Sequence, residues 1–166
     1  MSRPSSPKRR DDGNLVGRYR RVMLALAAAT ALGALIELTM LRHWSHLSQR
    51  IPWVILVVAL VATAYAYRAG ARATPITRAV ALLVALGGGF GVFEHVNSNV
   101  ATGALDARYA QTWNTLSPLA HWWYAASGAV GPAPPLAPTM LALTGVCLAL
   151  STLGWTNRRP SSSPGG

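Results

Sequence analysis

Four long apolar stretches, separated by segments that carry the charged residues, constrain this chain more than any other feature. They cover residues 22–44, 51–67, 79–99 and 136–155. A helix needs about 20 apolar residues to cross the hydrocarbon core of a bilayer, and each stretch is close to that length. Because lipid offers the backbone no hydrogen-bond partners and four segments cannot close a barrel, the stretches are expected to be helical. The sequence therefore predicts an all-α integral membrane bundle of four transmembrane helices over residues 22–155.

The composition narrows the function classes. The chain has 166 residues, of which 51% are hydrophobic and 12% are charged, and its formal net charge is +10. A nucleic-acid role for the basic run at 8–10 is not expected, because two aspartates follow it and no aromatic residues interleave with it. A lone cysteine, Cys147, excludes an intramolecular disulfide framework, and nucleotide-binding and hydrolase motifs are missing from the sequence. We expect a non-enzymatic membrane component whose main partner is the lipid bilayer.

The distribution of basic residues predicts the orientation. Twelve of the fifteen Lys and Arg residues lie in the N-terminal segment, between the second and third stretches, or in the C-terminal tail, whereas the other side has only Arg42, Arg50 and Arg108. An excess of Lys and Arg marks the cytoplasmic side. The prediction is a multi-pass protein of the inner (plasma) membrane with both termini cytoplasmic. A secretory signal peptide starting at Val22 is the alternative, but the apolar stretch continues past any cleavage site.

Aromatic residues and composition predict the segments outside the bilayer. Segments 1–21 and 156–166 are rich in Pro, Ser, Gly and Arg and are expected to be disordered cytoplasmic tails. Segment 101–135 is rich in aromatic residues, so it is expected to be an interfacial helix or a re-entrant loop on the outer side. The predicted interfacial anchors are Trp44, Trp53, Trp122, Trp123 and Trp155.

Small residues indicate where helices approach each other in lipid. Ala29 and Gly33 lie four residues apart in the first stretch, and Gly87 and Gly91 form a GxxxG pair in the third. Such pairs let two backbones come close, so these four residues are predicted to pack helix against helix. The triple glycine at 87–89 is interpreted as a point of close packing or kinking.

Acidic and imidazole side chains gather on the predicted outer side. Glu37 and Glu94 each lie sixteen residues past the basic boundary of their stretch, which places both about 24 Å from the cytoplasmic edge. His95 and Asn99 follow Glu94, and His43 lies at the end of the first stretch. We expect Glu37, Glu94, His95 and Asn99 to form one polar cluster between helices.

Three interpretations of this cluster remain open at the sequence level. The side chains can fix helix packing through hydrogen bonds, or they can bind a proton or cation. Glu37, Glu94, His95 and His43 are also weak candidates for a divalent metal, and histidine can ligate haem, although no cofactor is predicted. An accessory subunit that binds a larger membrane protein, or a homo-oligomer, is the alternative to a self-contained role.

Four segments together carry a resemblance to a known family. They read ELTMLRHW at 37–44, IPW at 51–53, GFGVFEHVNSN at 89–99 and PPLAPTMLALTG at 134–145. In this combination the chain resembles an uncharacterised family of small bacterial four-helix integral membrane proteins. The resemblance covers about residues 22–155 and implies the same four-helix topology, but it implies no activity. The outer segment lacks an acidic stretch associated with the family.

Overall fold

The computed structural model describes residues 7–154, and over that range it is built from helices without β-strands, which confirms the all-α class. The five helices are α1 (Pro7–Met40), α2 (Leu47–Ala69), α3 (Thr74–Thr102), α4 (Pro118–Ala126) and α5 (Leu136–Leu150). Short 3₁₀ turns cover Gly70–Ala73, Gly103–Leu105 and Trp113–Thr115. The end of the bundle that carries the α1–α2 connection and residues 103–135 is called the outer end below, and the opposite end is the inner end.

Two segments within 7–154 are long and apolar enough to cross a membrane. They are Gly13–Met40 and the 59-residue segment Leu47–Leu105, while Leu136–Leu150 is a shorter apolar helix. The second segment contains both α2 and α3, which pack against each other. Gly70 separates them with a backbone φ of 61°, a left-handed conformation that glycine adopts without steric cost. The segment is therefore a helical hairpin and not one continuous rod.

Helix α5 forms the centre of the bundle. It packs mainly on α3 and α1, and its buried residues include Leu141, Thr144 and Leu148. The Thr144 hydroxyl lies 2.8 Å from the Thr30 hydroxyl of α1, and the Thr30 hydroxyl also donates to the Leu26 carbonyl of its own helix. These hydroxyls satisfy each other inside an apolar contact, where an unpaired one would be costly.

Apolar side chains cover the outward faces of the helices as well as the core. Leu32, Val54, Leu82, Leu86 and Phe90 are each more than half exposed. A helix that is hydrophobic all round is typical of a buried core or of a membrane span. In a 148-residue bundle with one layer of helices around α5, exposed apolar faces of this extent are what lipid contact requires.

The structure contradicts the expectation of disorder over 7–21, because α1 begins at Pro7. Arg20 makes a tertiary contact in this part of α1. The buried Arg20 guanidinium donates to the carbonyl oxygens of Ala66, at 2.7 Å, and Gly70, at 3.1 Å, so the start of α1 is fastened to the end of α2. The Ala66 carbonyl also accepts the backbone amide of Gly70, so it receives two donors at the end of α2. Trp155 and the 156–166 tail lie outside the described residues.

The outer segment folds as a small layer on the end of α3. Ser117 caps α4 by accepting a hydrogen bond from the Ala120 amide. A second apolar cluster contains Val96 of α3 together with Trp113, Ala125 and Val130. Trp113 stacks on His121 with ring centroids 4.3 Å apart. The segment therefore contains a short helix packed on the bundle.

Candidate functional site

A cavity of about 400 Å³ lies at the outer end between α2, α3, α5 and the end of α1. Its polar lining residues are His43, Ser48, Gln49, Glu94 and His95, and its remaining lining is apolar. The most deeply buried of the apolar residues are Leu56 of α2 and Leu141 of α5. The cavity thus joins a polar rim to an apolar floor, as small-molecule sites commonly do.

One hydrogen bond orients His95. Its Nδ1 lies 2.8 Å from the carbonyl oxygen of Pro134, in the proline-rich approach to α5. A carbonyl oxygen can only accept, so Nδ1 carries the proton and donates it. In the neutral ring Nε2 is then left as an acceptor. The imidazole is held in one tautomer by a stiff segment of backbone.

His43 belongs to the α1–α2 connection and lies beside His95 of α3, with the two ring centroids 6.4 Å apart. Its backbone amide donates to the Leu38 carbonyl at 2.9 Å, and its carbonyl accepts the indole N–H of Trp53 at 2.8 Å. Partial burial lowers the pKa of His43, and the nearby His95 lowers that pKa further. A positive charge on the His43 ring is therefore disfavoured.

Glu94 contributes a carboxylate with no internal counter-charge. It is exposed on α3 and lines the cavity, and within residues 7–154 no hydrogen bond or ion pair joins it to another side chain. The ion pair that this part of the chain does contain, Arg108 with Asp106 at 2.8 Å, belongs to the outer segment. The Arg108 guanidinium lowers the pKa of Asp106 to about 2. Among the acids that line the cavity in the described range, Glu94 is therefore the one available to a ligand.

Glu37 and Asn99 do not join this site. Glu37 is not among the residues that line the cavity, and its half-buried carboxyl leaves Oε2 without a hydrogen-bond partner in the described range. Asn99 is fully buried and bonded to the loop before α5: its amide nitrogen donates to Ala125 and Ala133 carbonyls, and its oxygen accepts the Ala133 amide. The predicted single cluster of Glu37, Glu94, His95 and Asn99 is therefore divided.

The metal candidates are also not assembled into a ligand set. Across residues 7–154 no group of three or more His, Cys, Asp or Glu side chains is placed to hold a metal ion. His43, Glu94 and His95 share the cavity, whereas Glu37 is elsewhere. Protein sites for divalent transition metals commonly supply at least three side chains.

The predicted packing residues have different outcomes. Ala29 is exposed, so its assignment to a helix contact is wrong: the buried row of α1 contains Ala27, Ala31 and Ala34, one turn apart, and position 29 falls outside it. Gly33 faces the Met140 side chain and Gly91 faces Pro138.

The two closest approaches between helices lie at Gly88, inside the triple glycine interpreted as a point of close packing, and at Gly145, which sequence reasoning missed. A methyl group at Gly88 would lie 2.2 Å from the backbone nitrogen of Ala142, and one at Gly145 would lie 2.4 Å from that of Ala85. At Gly87 the nearest atom would be the Ile55 Cδ1, at 3.1 Å. The buried period of α3, which runs through Ala81 and Val84 to Gly88, was the signal that could have identified Gly88.

The predicted tryptophan anchors lie at the outer end, apart from Trp155. Trp44 and Trp53 pair with ring centroids 6.1 Å apart, and Trp122 lies 5.8 Å from Phe93. Trp123 is 70% exposed.

No protein-family model, curated protein or solved structure matches this chain. What the cavity can do therefore has to be argued from its own side chains.

Proposed function

We propose that the chain is a multi-pass membrane protein of the inner (plasma) membrane in which α1, α2, α3 and α5 each cross the bilayer. The hairpin of α2 and α3 supports this count, because one long apolar segment then supplies two crossings. The basic residues support the orientation: Arg68, Arg72 and Arg78 flank the α2–α3 turn, at the same end as the start of α1. Both termini are then cytoplasmic.

Single cysteines test this topology. In a Cys147→Ser background, Ser45→Cys in the α1–α2 connection and Ser127→Cys after α4 are expected to react with a membrane-impermeant maleimide added to intact cells. Ala71→Cys, in the α2–α3 turn, is expected to react only after permeabilisation. Labelling of Ala71→Cys in intact cells, or protection of both outer positions, contradicts the four-span arrangement.

We propose that the outer cavity takes up a proton or a cation through Glu94, with His43 and His95 beside it. The observation that carries this proposal is that one cavity brings these three titratable side chains together, and that Glu94 has no partner within 7–154. A titratable group placed at membrane depth costs free energy unless it serves packing or function. Packing is the role of Asn99, whose polar atoms are bonded, and not of Glu94.

Infrared titration of the reconstituted protein tests the proposal. The carboxyl C=O band is expected to change with pH or added monovalent cation, and Glu94→Gln is expected to remove that change while leaving the helix content intact. Asp106→Asn is the matched control, because this partly buried acid is already paired with Arg108. An unchanged signal in Glu94→Gln, with normal folding, leaves the carboxylate with a structural role and ends the proposal.

A further inference from the structure

We propose that the ligand of the outer cavity is a lipophilic ammonium ion, an amine with an apolar body, that enters sideways from the bilayer. This inference rests on the proposed function, since it names the class of cation that Glu94 receives. It depends on four properties of the cavity: its volume, its division into rim and floor, the hydrogen-bonding character of the rim, and its position between α2 and α3.

The volume and lining are unsuited to a bare metal ion. About 400 Å³ is within the range of roughly 300–1,000 Å³ that holds organic ligands. The described part of the chain does not place three ligating side chains together, and a cavity with one carboxylate among its polar lining residues offers too few charged oxygens to replace the hydration shell of a small ion. An organic cation loses less hydration on entering such a cavity, because its apolar body gains from burial.

The rim favours a ligand that donates hydrogen bonds and carries positive charge. Glu94 supplies a carboxylate, which only accepts when ionised. His95 donates Nδ1–H to Pro134, so its Nε2 is an acceptor. Burial and the neighbouring His95 lower the pKa of His43, which disfavours a positive charge on that ring. An ammonium group satisfies these acceptors, whereas an anion would meet the Glu94 charge.

The apolar lining of the cavity favours a ligand with an apolar body that arrives through the lipid. This lining includes Ile51, Pro52 and Ile55 on α2 and Gly87, Phe90 and Gly91 on α3. Ile51 is 57% exposed and Phe90 is 66% exposed, so the residues of the cavity continue onto the outward faces of both helices. An amphipathic amine that is already concentrated at the membrane interface can therefore reach Glu94 without crossing the polar outer layer.

Binding to the full-length protein in nanodiscs tests the inference, with protein-free nanodiscs subtracted for partition. The probes are 4-phenylbutylamine, which is protonated at neutral pH, and its neutral analogue 4-phenylbutanol. The amine is expected to bind at least about tenfold more tightly than the alcohol, as loss of one charged hydrogen bond in a desolvated site implies. Glu94→Gln is expected to reduce amine affinity to that of the alcohol and to leave alcohol binding unchanged.

Two further variants separate site from fold. Leu41→Trp places a large ring at the cavity wall and is expected to weaken both probes, whereas Ile36→Trp, at an exposed α1 position outside the cavity, is the matched control. Equal binding of amine and alcohol, or undiminished amine binding by a folded Glu94→Gln protein, would overturn the inference. If the infrared response at Glu94 is present but the amine does not bind, the proposed function stands and the ligand class alone is wrong.

Discussion

Two faces of α3 use neighbouring glycines in opposite ways. Toward α5, Gly88 brings two backbones together so closely that a methyl group would lie 2.2 Å from the Ala142 nitrogen. Toward α2, Gly87 faces only the tip of the Ile55 side chain and lines the cavity, while Gly89 faces open space. A run of three glycines therefore serves one tight contact, one groove and one outward face. A glycine next to a backbone allows two helices to touch, whereas a glycine next to a side-chain tip leaves room for a cavity.

The largest effect is expected at the tight contact. Gly88→Leu inserts a side chain where the obstructing atoms are backbone and cannot rotate away, so the free energy of unfolding should fall by more than about 3 kcal/mol. Gly89→Leu is the matched control, because nothing lies within 4 Å of a methyl group there. Unfolding in mixed micelles with increasing SDS measures both variants. Equal stability of the two variants would remove the distinction between the faces of α3.

A smaller loss is expected where α3 holds the outer segment. Asn99→Ala leaves the buried carbonyl of Ala125, and the partly buried carbonyl and amide of Ala133, without their side-chain partner. The free energy of unfolding should fall by about 2 kcal/mol, the range for unsatisfied buried groups. Asn114→Ala, at an exposed position of the outer segment, should have no such effect.

Hydrogen exchange compares the stability of the outer segment with that of the α3–α5 contact. If Asn99 anchors the outer layer alone, Asn99→Ala should speed exchange in 103–135 while the α3–α5 contact stays protected. Uniform loss of protection along α5 would show that the two regions unfold together and are not separable.

The smallest effect on stability is expected from a change of pH, through His43 at the cavity. Burial and the neighbouring His95 lower the pKa of His43 below 6.5, so the unfolded chain binds a proton more readily than the folded one. The contribution of His43 to stability is complete above the unfolded pKa and is lost as pH falls through 6.5 toward the lowered value. Thermal unfolding at about pH 7.5 and about pH 5.5 should show a midpoint drop that His43→Gln reduces. A drop of the same size in His43→Gln assigns the pH dependence elsewhere.

The sequence predicted the helices better than their partners. Apolar length and the absence of backbone partners in lipid were enough to locate α2, α3 and α5, because these properties are local. The helical start of α1 was not predicted, and the contact of Arg20 with carbonyls 46 and 50 residues away could not be inferred from the local sequence. Which small residues touch a neighbour depends on helix rotation, and a four-residue spacing from Ala29 selected a row beside the buried one.

The candidate site shows the same limit. Residue type and predicted depth identified Glu94 and His95 as candidates, and both line the cavity. Asn99 and Glu37 have different surroundings, because the outer segment folds back onto Asn99 and Glu37 is not among the residues that line the cavity. The residue types along one helix can be read from its sequence, whereas the shape of a cavity between helices depends on how all four helices pack.

The packing of α1 mainly on α5 has a consequence for synthesis. The first helix to leave the ribosome has to await the last, which follows it by roughly 100 residues, and at about 5–20 residues per second that interval is roughly 5–20 s. During this time the face of α1 that contains Ala27, Ala31 and Ala34 is without its final partner. Small apolar residues expose no polar group to lipid, so a helix with such a face can persist alone in the bilayer and still close tightly when α5 arrives.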